Sequence, residues 1–122
     1  MDEAALDFEA FRETYEEALA LAVRLPGSVP SRPRVAELNR ELRQCAGVLV
    51  PCVEAEVAET VEDTANRETA RWLLVRIALL LENQLPHESR EAAEQTEDLA
   101  LTCRALTAIC DLLREDRASV PA

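Results

Sequence analysis

The sequence has 122 residues, 48% of them apolar, with 24 acids against 13 bases and a net charge of −11. That is one domain's worth of chain with material for a core, which excludes a disordered tail. So much negative charge also disfavours contact with nucleic-acid phosphate or anionic lipid.

No apolar run approaches the ~20 residues that span a bilayer. The acidic start Met1-Asp2-Glu3 lacks a signal peptide's basic region, so the expected location is cytoplasmic. Every base is arginine and lysine is absent, a codon bias of GC-rich genomes rather than a folding requirement. The abundant Ala, Leu, Glu and Arg are strong helix formers.

The first predicted helix runs from about Asp2 to Arg24. Phe8, Phe11, Tyr15, Ala18, Ala22 and Leu25 recur at steps of three and four and make one apolar face. Leu25-Pro26-Gly27 ends it, and the prolines at 26, 30 and 33 make the following stretch a loop. A second helix starts near Pro33, where proline suits a first turn. Val35, Leu38, Leu42, Cys45, Leu49 and Cys52 form a heptad stripe. Pro51 is expected to kink this helix and shift the stripe to Val53, Val57 and Val61. The alternative is two helices broken near Pro51. The kinked helix should end near Asp63.

Thr64 or Asn66 can cap a third helix, Arg67 to Leu85. Trp72, Leu73, Leu74, Val75, Ile77, Ala78, Leu79, Leu80 and Leu81 point in nearly every direction. A helix apolar all round is expected to be buried all round. It should be the central helix, with Trp72, Leu73, Ile77 and Leu81 among the most buried positions. Ser89 is the expected cap of a fourth helix, Arg90 to about Asp116, with Leu99, Cys103, Leu106, Cys110 and Leu113 inward. No window alternates as a strand does.

Cys45 and Cys52 lie seven apart, as do Cys103 and Cys110. Seven helical residues rise about 10.5 Å, too far for four thiolates at ~2.3 Å from one zinc. If helices two and four run parallel, Cys45 approaches Cys103 and Cys52 approaches Cys110. The four thiols read best as small core groups, ahead of disulfides or redox duty. His87, the single histidine, follows Pro86 in a surface turn without catalytic partners. Glu56, Glu59 and Glu62, and Glu91, Glu94 and Glu97, read as solvated faces rather than magnesium ligands.

Arg76 interrupts the apolar run of the third helix and needs a partner if buried. A pair with Glu56, an anionic ligand, or extension to the surface would each serve. No phosphate loop, dinucleotide fingerprint, nucleophile elbow or zincin motif occurs, and no acyl-carrier attachment site matches.

Val50-Pro51-Cys52-Val53-Glu54, Leu99-Ala100-Leu101-Thr102-Cys103-Arg104-Ala105-Leu106 and Cys110-Asp111 resemble a group of small actinobacterial proteins labelled as a natural product biosynthesis family. The likeness covers about residues 34–114 through short, mostly apolar motifs. Where members follow Cys-Asp with an aromatic, this chain has Leu112 and Leu113. The resemblance brings no catalytic residues and implies an accessory role near secondary metabolism.

These readings predict an all-α, up-down four-helix bundle with a proline-kinked second helix. It is a single domain over residues 1–122: a helix over 1–25, a proline-rich link over 26–33 and a helical core over 34–116. The functional expectation is a non-enzymatic binding protein whose partner is another protein or a second copy. No catalytic residue, metal, cofactor, nucleic acid or membrane is expected. The alternative is a small-molecule binder or enzyme with a pocket near Pro51, holding its ligand through Arg76 and Glu56. A third reading is an acidic mimic of nucleic acid. The first helix is expected to cover the open side of the third, from its own chain or a homodimer partner, and to lie at or near the dimer contact.

Overall fold

A computed structural model describes the backbone of residues 3–22, 31–60 and 64–119 and the side chains of residues 9–20, 31–60 and 64–118. Four helices form: α1 Glu3–Ala22, α2 Arg32–Glu59, α3 Ala65–Glu82 and α4 Ser89–Ser119. They take up 91% of the described residues, without a strand among them. The expected faces of Phe8, Ala22 and Leu25 lie outside the described side chains.

In α2 the buried stripe Val35, Leu38, Leu42, Cys45 and Leu49 continues through Val53 to Glu56. Pro51 sits inside the helix without ending it. Proline deprives the carbonyl four residues back, that of Gly47, of its bond. Gly47 and Pro51 both lie on the exposed side, so water can satisfy that carbonyl. Past Pro51 the stripe shifts by one position, from Cys52, which is half-buried, to Val53, which is fully buried. It then returns to the original register at Glu56 instead of continuing to Val57, which is only half-buried, and Val61 lies outside the described residues. The helix stops at Glu59, short of Asp63. Thr60 is extended, its N–H reaches back to the carbonyls of Glu56 and Val57, and its hydroxyl donates to the Glu56 carbonyl at 2.7 Å.

Thr64, not Asn66, caps α3: its Oγ1 accepts from the Arg67 N–H at 3.2 Å. Asn66 donates to Asp116 at 2.9 Å and ties the start of α3 to the end of α4. At the other end α3 stops at Glu82, before Leu85, and Arg43 of α2 donates to the carbonyls of Leu81 and Asn83. An arginine there satisfies orphan acceptors and meets the negative end of the helix dipole. The cap of α4 is Glu88 rather than Ser89, its carboxylate accepting from the N–H groups of Glu91 at 2.8 Å and Arg90 at 3.0 Å.

α2 and α4 run parallel and in constant register. Glu56 meets Arg114 at 3.1 Å, 58 positions along the chain, and Glu59 pairs with Arg117 at the same offset. Cys45 with Cys103 and Cys52 with Cys110 share that offset, and the members of each pair feel one another electrostatically. The sevenfold spacings thus fall at matching levels of the two helices, and none of the four cysteines is in a disulfide. Near the start of α2, buried Asn39 donates to Thr96 at 3.0 Å and to Gln95 at 3.1 Å and accepts from Arg43 at 2.8 Å. A buried amide so satisfied specifies register rather than costing stability.

α1 and α3 occupy opposite grooves of this α2/α4 pair. Each touches α2 and α4, and among the described residues they do not pack on each other. The core lies between, around Leu38, Leu42, Leu49, Val53, Leu99, Leu106 and Leu113 on the central pair. Phe11, Tyr15 and Ala18 close it from α1; Ala70, Leu73 and Ile77 close it from α3.

Two expectations fall here. The central helices are α2 and α4, each of which touches all three others, and α1 of the same chain does not cover α3. A groove between two helices buries one face of a third, so α3 keeps its opposite face outside. Trp72, expected among the most buried residues, is 62% exposed, and Leu81 is half-buried.

Candidate functional site

The outward line of α3 reads Glu68, Trp72, Val75, Leu79, Glu82, at alternating steps of four and three. That spacing keeps one side of a helix toward a facing helix. The inner line, Ala70, Leu73 and Ile77, is a second and opposite stripe. Val75 is 61% exposed and Leu79 57%. The guanidinium of Arg76 lies 6.0 Å from the Trp72 ring centroid and 3.9 Å from Asp98 of α4. Arg76 thus takes a surface course over an aromatic face.

Asp98 places the adjoining edge of α4. Leu101, Ala105, Ala108 and Leu112 follow it at helical steps of three and four, and Asp116, bonded to Asn66 of α3, completes the same line. Leu101 and Leu112 are exposed as well. The large apolar side chains exposed among the described residues are therefore Trp72, Val75, Leu79, Leu101 and Leu112, all on α3 and this edge of α4. Together they make roughly a few hundred Å² of exposed apolar surface, the size of the largest patch on a typical monomer and often a functional one.

Glu56 and Arg76 are not brought together. Glu56 is buried at the far end of the α2/α4 pair, where Arg114 reaches its Oε2 at 3.1 Å and Arg117 its Oε1 at 3.0 Å. The Arg117 contact to Oε1 lies off the N–H direction, so that oxygen is charge-paired without a directed hydrogen bond. Glu56 departs from the solvated face expected of its trio, because helical periodicity carries it inward and α4 supplies two cations. Glu59 is exposed and paired with Arg117, and Glu62 lies outside the described residues. Glu91 and Glu94 are exposed, and Glu97 is half-buried.

No helix of the described residues is long and apolar enough to cross a membrane. Nor do three His, Cys, Asp or Glu side chains among them gather in a metal-holding group. His87 is exposed in the α3–α4 turn. Burial pushes the Cys103 thiol up to about 12, with Cys45 adding to the effect. Burial also raises Cys110, against the lowering influence of Arg114. Protonated thiols in a packed core are poor nucleophiles.

Residues 9–118 match the model of a family of unknown function, DUF6415. The chain belongs to that family. Neither the curated proteins nor the solved structures hold a match to it. The family match spans α1 to α4 and so includes the exposed α3–α4 face.

This face is hidden in the composition of α3, where the apolar residues of two separate stripes sum to a helix apolar all round. The signal was present: Glu68 and Glu82 bracket Trp72, Val75 and Leu79 on one line, whereas Ala70, Leu73 and Ile77 hold the other.

Proposed function

We propose that this DUF6415 chain is a non-enzymatic binding module whose outer α3 face and adjoining α4 edge receive an amphipathic helix of a protein partner. The exposed line Trp72, Val75 and Leu79 carries the reading. Its four-three spacing suits helix-on-helix packing, and its aromatic-aliphatic make-up with a flanking arginine suits the centre of a protein interface. The resemblance to a natural product biosynthesis family supplies a setting, an accessory role near secondary metabolism.

The test is site-specific photo-crosslinking in the host cell, with a benzophenone side chain at position 75 and, separately, at position 13 on α1. The expected result is a discrete protein adduct from position 75 and none from position 13. Absence of any adduct from position 75 would sink the proposal.

A further inference from the structure

Resting on that reading, we infer that the helix received by the α3 face is the α3 of a second copy, laid antiparallel to form a twofold dimer. Like charge is the first obstacle to self-pairing in a chain of net charge −11, and its distribution answers the obstacle. Within the helix bounds, α1 holds the single base Arg12 against six acids, and α2 and α4 also carry more acids than arginines. Only α3 reverses the balance, with Arg67, Arg71 and Arg76 against Glu68 and Glu82. The most acidic helix, α1, lies across the α2/α4 pair from α3. Pairing through α3 therefore joins the least acidic helices and holds the most acidic ones farthest apart.

Orientation follows from the ends of the stripe. Toward the start of α3 stand Glu68 and Arg71, ion-paired at 3.5 Å, and Glu82 stands in its last turn, where there is no base. A parallel copy would set Arg71 beside Arg71 and Glu82 beside Glu82. An antiparallel copy sets Arg71 of each protomer toward Glu82 of the other and opposes the two helix dipoles. Val75 and Leu79 then meet near the twofold axis, and Trp72 lies toward the partner's chain end of the stripe. Such an isologous contact closes on itself and leaves no open surface for a filament.

An 18-residue helix is about 27 Å long. Two such faces with their α4 edges bury on the order of 1,000 Å², the lower limit for a specific interface. The dimer is accordingly a weak one, dissociating at roughly micromolar concentration.

The experiment is sedimentation equilibrium of the full chain across concentration and salt, read alongside emission of Trp72, the only tryptophan. A monomer–dimer equilibrium is expected, with emission moving to shorter wavelength as concentration rises. Added salt should tighten the dimer by screening the like net charges. Val75→Glu should weaken association at least tenfold with an unchanged thermal melt, since that side chain is 61% exposed. Arg71→Glu should weaken it, and adding Glu82→Arg should restore it.

A chain that stays monomeric up to about 100 µM at every salt concentration, with unmoved emission, overturns self-pairing. If position 75 still yields an adduct with a different protein in the cell, the binding reading survives and only its occupant changes. If it yields none, both fall. Association that survives Val75→Glu, or weakens with salt, also overturns the inference.

Discussion

α1 and α3 sit in equivalent grooves on the two sides of one helix pair, and each buries a short apolar line there. Their outer faces are opposites. α1 shows Glu9, Glu13, Glu16 and Glu17 to solvent, whereas α3 shows Trp72, Val75 and Leu79. A groove between two helices consumes about one face of a third, whatever the rest of that helix is made of. Among the described side chains of α1 the remainder holds only polar residues and alanine, with no large apolar group exposed. In α3 the remainder is apolar, and this surplus is the feature that calls for a function.

Inner positions should behave alike in the two helices. Phe11→Ala in α1 should cost about 3–5 kcal/mol, and Ile77→Ala in α3 about 2–5 kcal/mol, by denaturant unfolding. A loss below 1 kcal/mol at Phe11 would mean that α1 is not part of the core and would break the comparison.

The central pair that both helices share is the next target. Glu56 is buried while Arg114 and Arg117 are each about two-fifths exposed. Either arginine alone can be spared, because the other still faces the carboxylate. Arg114→Ala combined with Arg117→Ala leaves Glu56 unpaired and should cost more than the two single changes added together, up to about 3 kcal/mol. Strict additivity would show that the two cations act independently.

A smaller effect concerns the α3–α4 turn. Backbone bonds from Glu91 and Arg90 hold the Glu88 carboxyl below its usual value of 4.5. A depressed folded value means that the cap's stabilisation is present above 4.5 and is lost as the pH falls through the folded value. Glu88→Gln should flatten this acid limb of the stability curve. A limb that keeps its slope would assign the acid sensitivity elsewhere.

The smallest effect sharpens the contrast. Val75→Glu and Glu13→Gln should each change monomer stability by less than about 0.5 kcal/mol. Only the first should alter association.

Much of the fold was legible in the chain. Helical periodicity marked all four helices, the inner stripe of α2 as far as Leu49 and the sevenfold cysteine spacing on α2 and α4. Thr64 was one of two caps offered for α3, and the hydroxyl at the correct distance from the Arg67 N–H decided between them. Pro51 did not divide α2 because its lost bond faces solvent, which spacing alone does not show. The candidate site was much less legible. Arg76 and Glu56 each carry unusual environments, but their partners, Asp98 and the pair Arg114 and Arg117, are fixed by helix positions far away in sequence. Glu88 displaced Ser89 as cap because its longer carboxylate reaches two N–H groups at once.

The sequence by itself determined that the chain is helical, where α1, α2 and α4 have their apolar lines, and that Cys45 with Cys52, and Cys103 with Cys110, each share one face of a helix. These follow from local geometry, since 3.6 residues per turn sets which side chains share a face. Only the tertiary structure decided which helices are central and which apolar face stays outside. Composition measures how much of a helix can be buried, while the packing of α2 against α4 sets how much groove exists to bury it. That one pairing put α1 and α3 on opposite sides and left Trp72, Val75 and Leu79 facing out.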